Sequence, residues 1–140
     1  MSRLGRRLAF DYGDVRIGVA VCDPDGILAT PLDFLATKDP SLKTSILSLY
    51  AEYEPKKIYV GLPLNLSGEH SESTAKAQAF AELITQMVSC PVELIDERLT
   101  TSSAASSLSR AGVSAKDQRK KIDSQSAVII LESGLAKDRE

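Results

Sequence analysis

Apolar positions at the start of the chain come in short runs broken by turn residues. Leu8-Ala9-Phe10 is continuous and stops at Asp11-Tyr12-Gly13, which predicts a short buried strand ending in a turn. Val15 to Cys22 is β-branched and apolar, and predicts a second strand. Asp23-Pro24-Asp25-Gly26 then sets Pro at the second position of a turn and Gly at its end. Ile27 to about Leu35 is expected to return as a third strand, which makes the opening an antiparallel meander.

Beyond this point the period changes. Leu42, Ile46, Leu49, Tyr50 and Tyr53 follow helical spacing after Ser41, the expected N-cap, and Pro55 ends that helix. Lys57 to Gly61 reads as a buried strand, and Leu62 to Ser71 as a loop holding Pro63, Asn65 and Gly68. A helix is expected from about Ser73 to Val88, and a fifth strand over Val92 to Ile95. Two further helices are expected from about Thr100 to Arg110 and from about Ala115 to Ala136, the second capped by Ser114. A three-strand meander followed by alternating helix and strand predicts an α/β fold. The expected sheet is mixed, five-stranded and RNase H-like, with helices on both faces, and residues 1–140 are expected to form one domain.

Composition narrows the chemistry. At 140 residues the chain buries a real core but is too short for a two-lobed kinase or actin-like ATPase. Tryptophan is absent and aromatics make up 5%, which argues against an aromatic cage or a base-stacking platform. No apolar run approaches the roughly 18 residues of a membrane span, and Asp11 interrupts the basic N-terminus too early for a signal peptide. The expectation is a cytoplasmic protein with no membrane partner. Cys22 and Cys90 lie in separate apolar stretches and read as reduced core thiols. With His70 as the single histidine, neither a zinc site nor a Ser-His-Asp triad has adequate material, so carboxylates must carry any catalysis.

The net charge of -2 hides an asymmetry. Asp23 to Glu97 holds twelve acidic and five basic residues, whereas Arg98 to Ile122 holds six basic residues and one acidic. Such a block is either a solvated face or a polyanion track beside an acidic centre. Asp11 terminates one predicted strand and Glu97 follows another, and strand ends of a mixed α/β sheet converge on one edge, where ligand sites gather. Strand ends also carry acids as turn formers, and Asp96 is the alternative to Glu97 because parity at the strand end is open. Asp123 lies four residues before Ala127, on the apolar stripe of Ala127, Ile130 and Leu131. A carboxylate in that row must be ion-paired, with Lys120 a candidate, or protonated, or metal-bound. Together Asp11, Glu97 and Asp123 offer the hard oxygen ligands that Mg²⁺ or Mn²⁺ prefers, the donor set of metal-assisted phosphodiester hydrolysis. For contacts to nucleic acid the candidates are Arg16, Asn65, Arg98, Arg119, Lys120 and Lys121. Arg16 is equally placed to pair with Asp14, and turn formation is the commoner use of Asn65.

Four blocks carry a resemblance. Phe10-Asp11-Tyr12-Gly13-Asp14-Val15-Arg16-Ile17-Gly18-Val19-Ala20 resembles the opening motif of the YqgF-type family, and Val60-Gly61-Leu62-Pro63-Leu64-Asn65-Leu66-Ser67-Gly68 its central loop. Asp96-Glu97-Arg98-Leu99-Thr100-Thr101 resembles the third block and Lys120-Lys121-Ile122-Asp123-Ser124-Gln125-Ser126-Ala127 the last. The family comprises RNase H-fold proteins described as pre-16S rRNA nucleases or as Holliday-junction-resolvase-like. By motif, Asp11, Glu97 and Asp123 match its metal-binding acids. Ser126 stands where the family usually has a second alanine and Cys22 where serine is frequent, and neither departure is expected to touch the acids.

The resemblance implies a metal-dependent nuclease on structured RNA, maturing the 5′ end of pre-16S rRNA, with a ribosomal precursor particle as a partner. Branched DNA is the alternative substrate, and a non-catalytic RNA-binding assembly factor is an alternative of another class. Asp11-Tyr12-Gly13 also resembles the phosphate loop of actin-like ATPases, but the length and the lack of a second such loop argue against that reading.

Overall fold

A computed structural model describes residues 4–64, 71–97 and 124–139. Its strands are β1 (Arg7–Asp11), β2 (Arg16–Cys22), β3 (Ala29–Ala36), β4 (Lys57–Leu62) and β5 (Val92–Asp96). Its helices are α1 (Leu42–Tyr53), α2 (Glu72–Met87) and α3 (Gln125–Arg139). The strands form one mixed sheet in the order β3-β2-β1-β4-β5. β1 pairs antiparallel with β2, and β2 with β3, while β1–β4 and β4–β5 are parallel. The expected α/β meander and five-stranded mixed sheet are therefore present.

Alternation along the strands divides the core into two layers. Leu8, Phe10, Ile17, Val19, Val21, Ile58 and Val60 face α1 and α2, meeting Ile46, Phe80, Ala81 and Ile84. Ala9, Ala20, Cys22, Tyr59 and Ile95 face the other way, onto Ala127, Val128, Ile130, Leu131 and Leu135 of α3. Helices thus cover both faces, and the apolar stripe on α3 is the one read from the sequence.

Several boundaries are corrected by local chemistry. β3 begins at Ala29 rather than Ile27, because the Asp23 carboxylate accepts the Ile27 and Leu28 N–H groups and folds both into the turn. Ser41 holds the N-cap position of α1 without a side-chain cap bond; instead Asp39 accepts the Ser41 N–H. Ser71 caps α2 in a reciprocal box with Thr74, and the Thr74 hydroxyl donates to the Pro63 carbonyl, pinning the exit of β4. The last described helix spans Gln125–Arg139, and the earlier part of its expected span, from about 115 to 123, lies outside the described residues. Ser124 stands ahead of it: its carbonyl accepts the Val128 N–H, and its buried hydroxyl accepts the Val19 N–H at 3.0 Å. The expected helix over about Thr100 to Arg110 lies outside the described residues. Both cysteines are free thiols, and Cys22 is buried as expected.

Candidate active site

Asp11 is the last residue of β1, directly opposite Gly18 of β2. It continues the Ala9 side of the strand, so its carboxyl faces α3. Glu97 follows β5, and parity there is resolved: Leu94 packs toward α1 and α2 while Ile95 packs toward α3. Glu97 therefore shares the α3 face with Asp11, and Asp96 falls in the opposite set. Between them runs β4, whose Gly61 is the register partner of Ile95. A Cβ built on Gly61 would lie 3.1 Å from Glu97 Cδ and 3.2 Å from Cγ. The Glu97 side chain thus lies over the bare backbone of β4.

The electrostatics are those of acids in company. Burial lifts the Asp11 carboxyl above its ordinary range, and a hydrogen bond from Ser126 only partly offsets it. Burial, then the neighbouring charges of Asp11 and Asp96, lift Glu97 from 4.5 to about 7. The Ser126 contact corrects the expectation that this departure from the family pattern leaves the acids untouched. The sequence carried no signal for it, since Ser126 falls on the first turn of the helix facing Asp11 only once that helix is seen to begin at Gln125.

The turn that follows Asp11 is fixed from outside. Thr37 Oγ1 donates to the Gly13 carbonyl at 2.7 Å, and Asp14 pairs with Lys76 at 2.9 Å. The Arg16 guanidinium lies over the Phe34 ring, 5.2 Å from its centroid. Asp123, Asn65, Arg98, Arg119, Lys120 and Lys121 lie outside the described residues. Among the described residues no group of three or more potential ligands forms a metal cluster. Two carboxylates facing one space, each held above its ordinary value and one cradled where a Cβ would intrude, nevertheless fit a hard divalent ion as a donor set. No helix among the described residues is long and apolar enough to cross a membrane.

Known proteins resemble this chain in sequence and in fold. The family model RuvX, described as Holliday junction resolvase, matches residues 5–137. Proteins from Streptomyces coelicolor and Streptomyces avermitilis, both named "Putative pre-16S rRNA nuclease", are 48% and 45% identical over 139 residues. Each alignment covers 98% of this chain, with 83% and 89% of the respective relative. RuvC of Thermus thermophilus, solved with a Holliday junction substrate, covers 96% of both chains with a TM-score of 0.58 at 14% identity, a likeness of fold. The four-block resemblance read from the sequence is borne out, and the chain belongs to the RuvX family, a nuclease family, and shares the RNase H-like fold of RuvC.

Proposed function

We propose that this chain is a divalent-metal-dependent nuclease that acts on structured RNA and matures the 5′ end of pre-16S rRNA in the cytoplasm. The observation that carries the reading is the meeting of Asp11 and Glu97 on the α3 face, with Glu97 lifted to about 7 by burial and by the Asp11 and Asp96 charges. The names carried by the Streptomyces relatives support the RNA substrate, since identities of 45–48% over nearly the whole chain favour a shared activity. A single domain spanning residues 1–140 and a ribosomal precursor particle as the setting belong to the same proposal.

In this reading Asp11, Glu97 and Asp123 hold Mg²⁺ or Mn²⁺. A bound ion of that kind acidifies water and stabilises charge on a leaving oxygen. The chain itself contributes the rest. Asp11 and Glu97 hold negative charge on one face of the sheet, at the price of a raised affinity for protons. Ser126 donates to Asp11 and favours its ionised form. Arg16, Asn65, Arg98, Arg119, Lys120 and Lys121 form the proposed contacts to the phosphate backbone, so binding weakens as salt rises.

The family description favours a second substrate, a four-way DNA junction. Purified protein is offered an RNA carrying the 5′ precursor end of 16S rRNA and, separately, a four-way junction, each with Mg²⁺ or Mn²⁺. Cleavage of the RNA alone is expected. Cleavage of the junction alone would move the substrate to branched DNA. Binding of the RNA without cleavage under any of these conditions would favour an assembly factor.

A further inference from the structure

Asp11 and Glu97 sit at the ends of strands that are not neighbours, since β4 lies between β1 and β5. Parallel strands are spaced about 4.8 Å apart, so the two backbones stand roughly two spacings, about 10 Å, from each other. Glu97 shares a space with Asp11 only by reaching back across β4. The residue it crosses is Gly61, opposite Ile95 in the register. Asp11 lies one residue beyond Phe10, whose partner is Val60, so Gly61 is also level with Asp11.

Position 61 belongs to the same side of β4 as Tyr59, which is buried against α3. Any side chain there would project into the gap between sheet and helix. A Cβ would overlap Ile130 Cδ1, part of a side chain only 1% exposed, and would crowd Glu97 Cδ and Cγ at 3.1 and 3.2 Å. Contacts that short force a neighbour to move. The gap is bounded on one flank by a packed isoleucine and on the other by the carboxylate.

We propose that Gly61 is a positioning residue for the metal-binding acids: the missing side chain is the notch through which the Glu97 carboxyl crosses β4 to stand with Asp11. The inference rests on the proposed role of Asp11 and Glu97 as metal ligands. It assigns Gly61 no contact with substrate or ion. Its task is to keep Glu97 within reach of a shared ligand.

The test must separate crowding of the core from displacement of the acid, and the geometry permits this. Ile130→Val removes the Cδ1 atom that an alanine at 61 would strike and leaves the encounter with Glu97 in place. Mn²⁺ binding is measured by electron paramagnetic resonance and calorimetry on the full chain, alongside thermal melts, for wild type, Ile130→Val, Gly61→Ala/Ile130→Val and Glu97→Gln. Ile130→Val is expected to bind Mn²⁺ as wild type does. The double variant is expected to melt close to Ile130→Val yet bind Mn²⁺ about tenfold or more weakly, the scale typical of residues that orient ligands. Adding Glu97→Gln to the double variant is expected to cost little further affinity, because the carboxylate is already misplaced. Equal Mn²⁺ affinity in Ile130→Val and Gly61→Ala/Ile130→Val would overturn the positioning role while leaving the acid site intact. Equal affinity in wild type and Glu97→Gln would overturn the acid site itself, and the role of Gly61 with it.

Discussion

The two ends of α3 meet the same sheet with opposite electrostatics. At the C-terminal end, Asp138 accepts from the Tyr59 hydroxyl at 2.6 Å and from Lys57 at 3.0 Å, and also pairs with Arg7. Lys57 and Lys137 both hold Glu93. Burial would lift these two carboxyls, but the hydrogen bonds and cations prevail, and both stand below their ordinary values. At the N-terminal end, burial lifts Asp11 and Glu97, and the neighbouring acids push Glu97 further. Partly buried carboxyls thus shift in opposite directions along one helix: hydrogen bonds and cations lower Asp138 and Glu93, whereas burial lifts Asp11 and Glu97 and neighbouring acids add to the lift of Glu97. The first arrangement staples helix to sheet. The second costs stability and is kept where positive charge from outside can relieve it.

The largest expected effect strikes the acid end alone. Asp11→Asn and Glu97→Gln each remove a charge proposed to hold the ion, and metal-assisted charge stabilisation is worth several kcal/mol. Cleavage is expected to fall on the order of 10²–10³-fold. Thermal melts of the same variants should be normal or raised at neutral pH, since each substitution also removes a destabilising charge. Asp96→Asn should retain activity, because parity sets it on the other side of β5. A fully active Glu97→Gln variant beside an inactive Asp96→Asn would exchange the two roles.

The reverse pattern is expected at the stapled end. Asp138→Ala leaves Arg7, Lys57 and the Tyr59 hydroxyl without their shared acceptor, at a cost of roughly 3 kcal/mol. Denaturant unfolding measures that loss, and cleavage per folded molecule should be unchanged. Gly134→Ala should destabilise the same end, because its Cβ would fall 2.6 Å from the Tyr59 ring. Loss of activity in the folded fraction of either variant would show that the two ends are coupled.

The sheet was legible from the sequence because its signals are local: β-branched runs, a Pro-containing turn and the switch to helical spacing. Asp11 and Glu97 were legible because each interrupts an apolar strand, and the family resemblance added the order of the blocks. The Asp96/Glu97 ambiguity was not resolvable locally, since parity at a strand end depends on what packs across the sheet. The Arg7–Tyr59–Asp138 network was missed for a related reason. Its members come from β1, β4 and α3, and nothing in a sequence marks a tyrosine inside a buried strand as the hinge of a polar cluster. The same holds for Gly61, which reads as a strand-end glycine until Glu97 is placed over it.

The comparison also sets opposite pH dependences. Glu97 is lifted in the fold from 4.5 to about 7, so the folded protein binds its proton more tightly than the unfolded chain does. Its stabilising contribution is complete below about 4.5 and is lost as the pH rises through about 7. Asp138 and Glu93 are lowered, so their contribution is present above their ordinary values of 3.8 and 4.5 and is lost as the pH falls below them. Melting curves of metal-free protein should therefore decline on both sides. Glu97→Gln should shrink the decline toward neutral pH and leave the smaller part that the lifted Asp11 carboxyl carries, and Mn²⁺ should suppress both in the wild type. A neutral-side decline undiminished by Glu97→Gln would mean that Glu97 does not carry it.

The smallest expected effect sharpens the acid end. Ser126 donates to Asp11 and, among the described residues, opposes the burial that lifts that carboxyl. Ser126→Ala removes the donor at an exposed position of α3, so the fold should lose no more than about 1 kcal/mol. The hydrogen bond itself is worth about 1 kcal/mol, which corresponds to roughly a fivefold change in an equilibrium constant. Without it Asp11 holds its proton more tightly, and a metal ion must displace that proton. Mn²⁺ affinity should drop a few-fold at mildly acidic pH, and the difference should shrink as rising pH ionises Asp11 in both proteins. Calorimetric titrations at two pH values measure this directly. A deficit of the same size at both would show that the hydroxyl orients Asp11 rather than tuning its proton affinity.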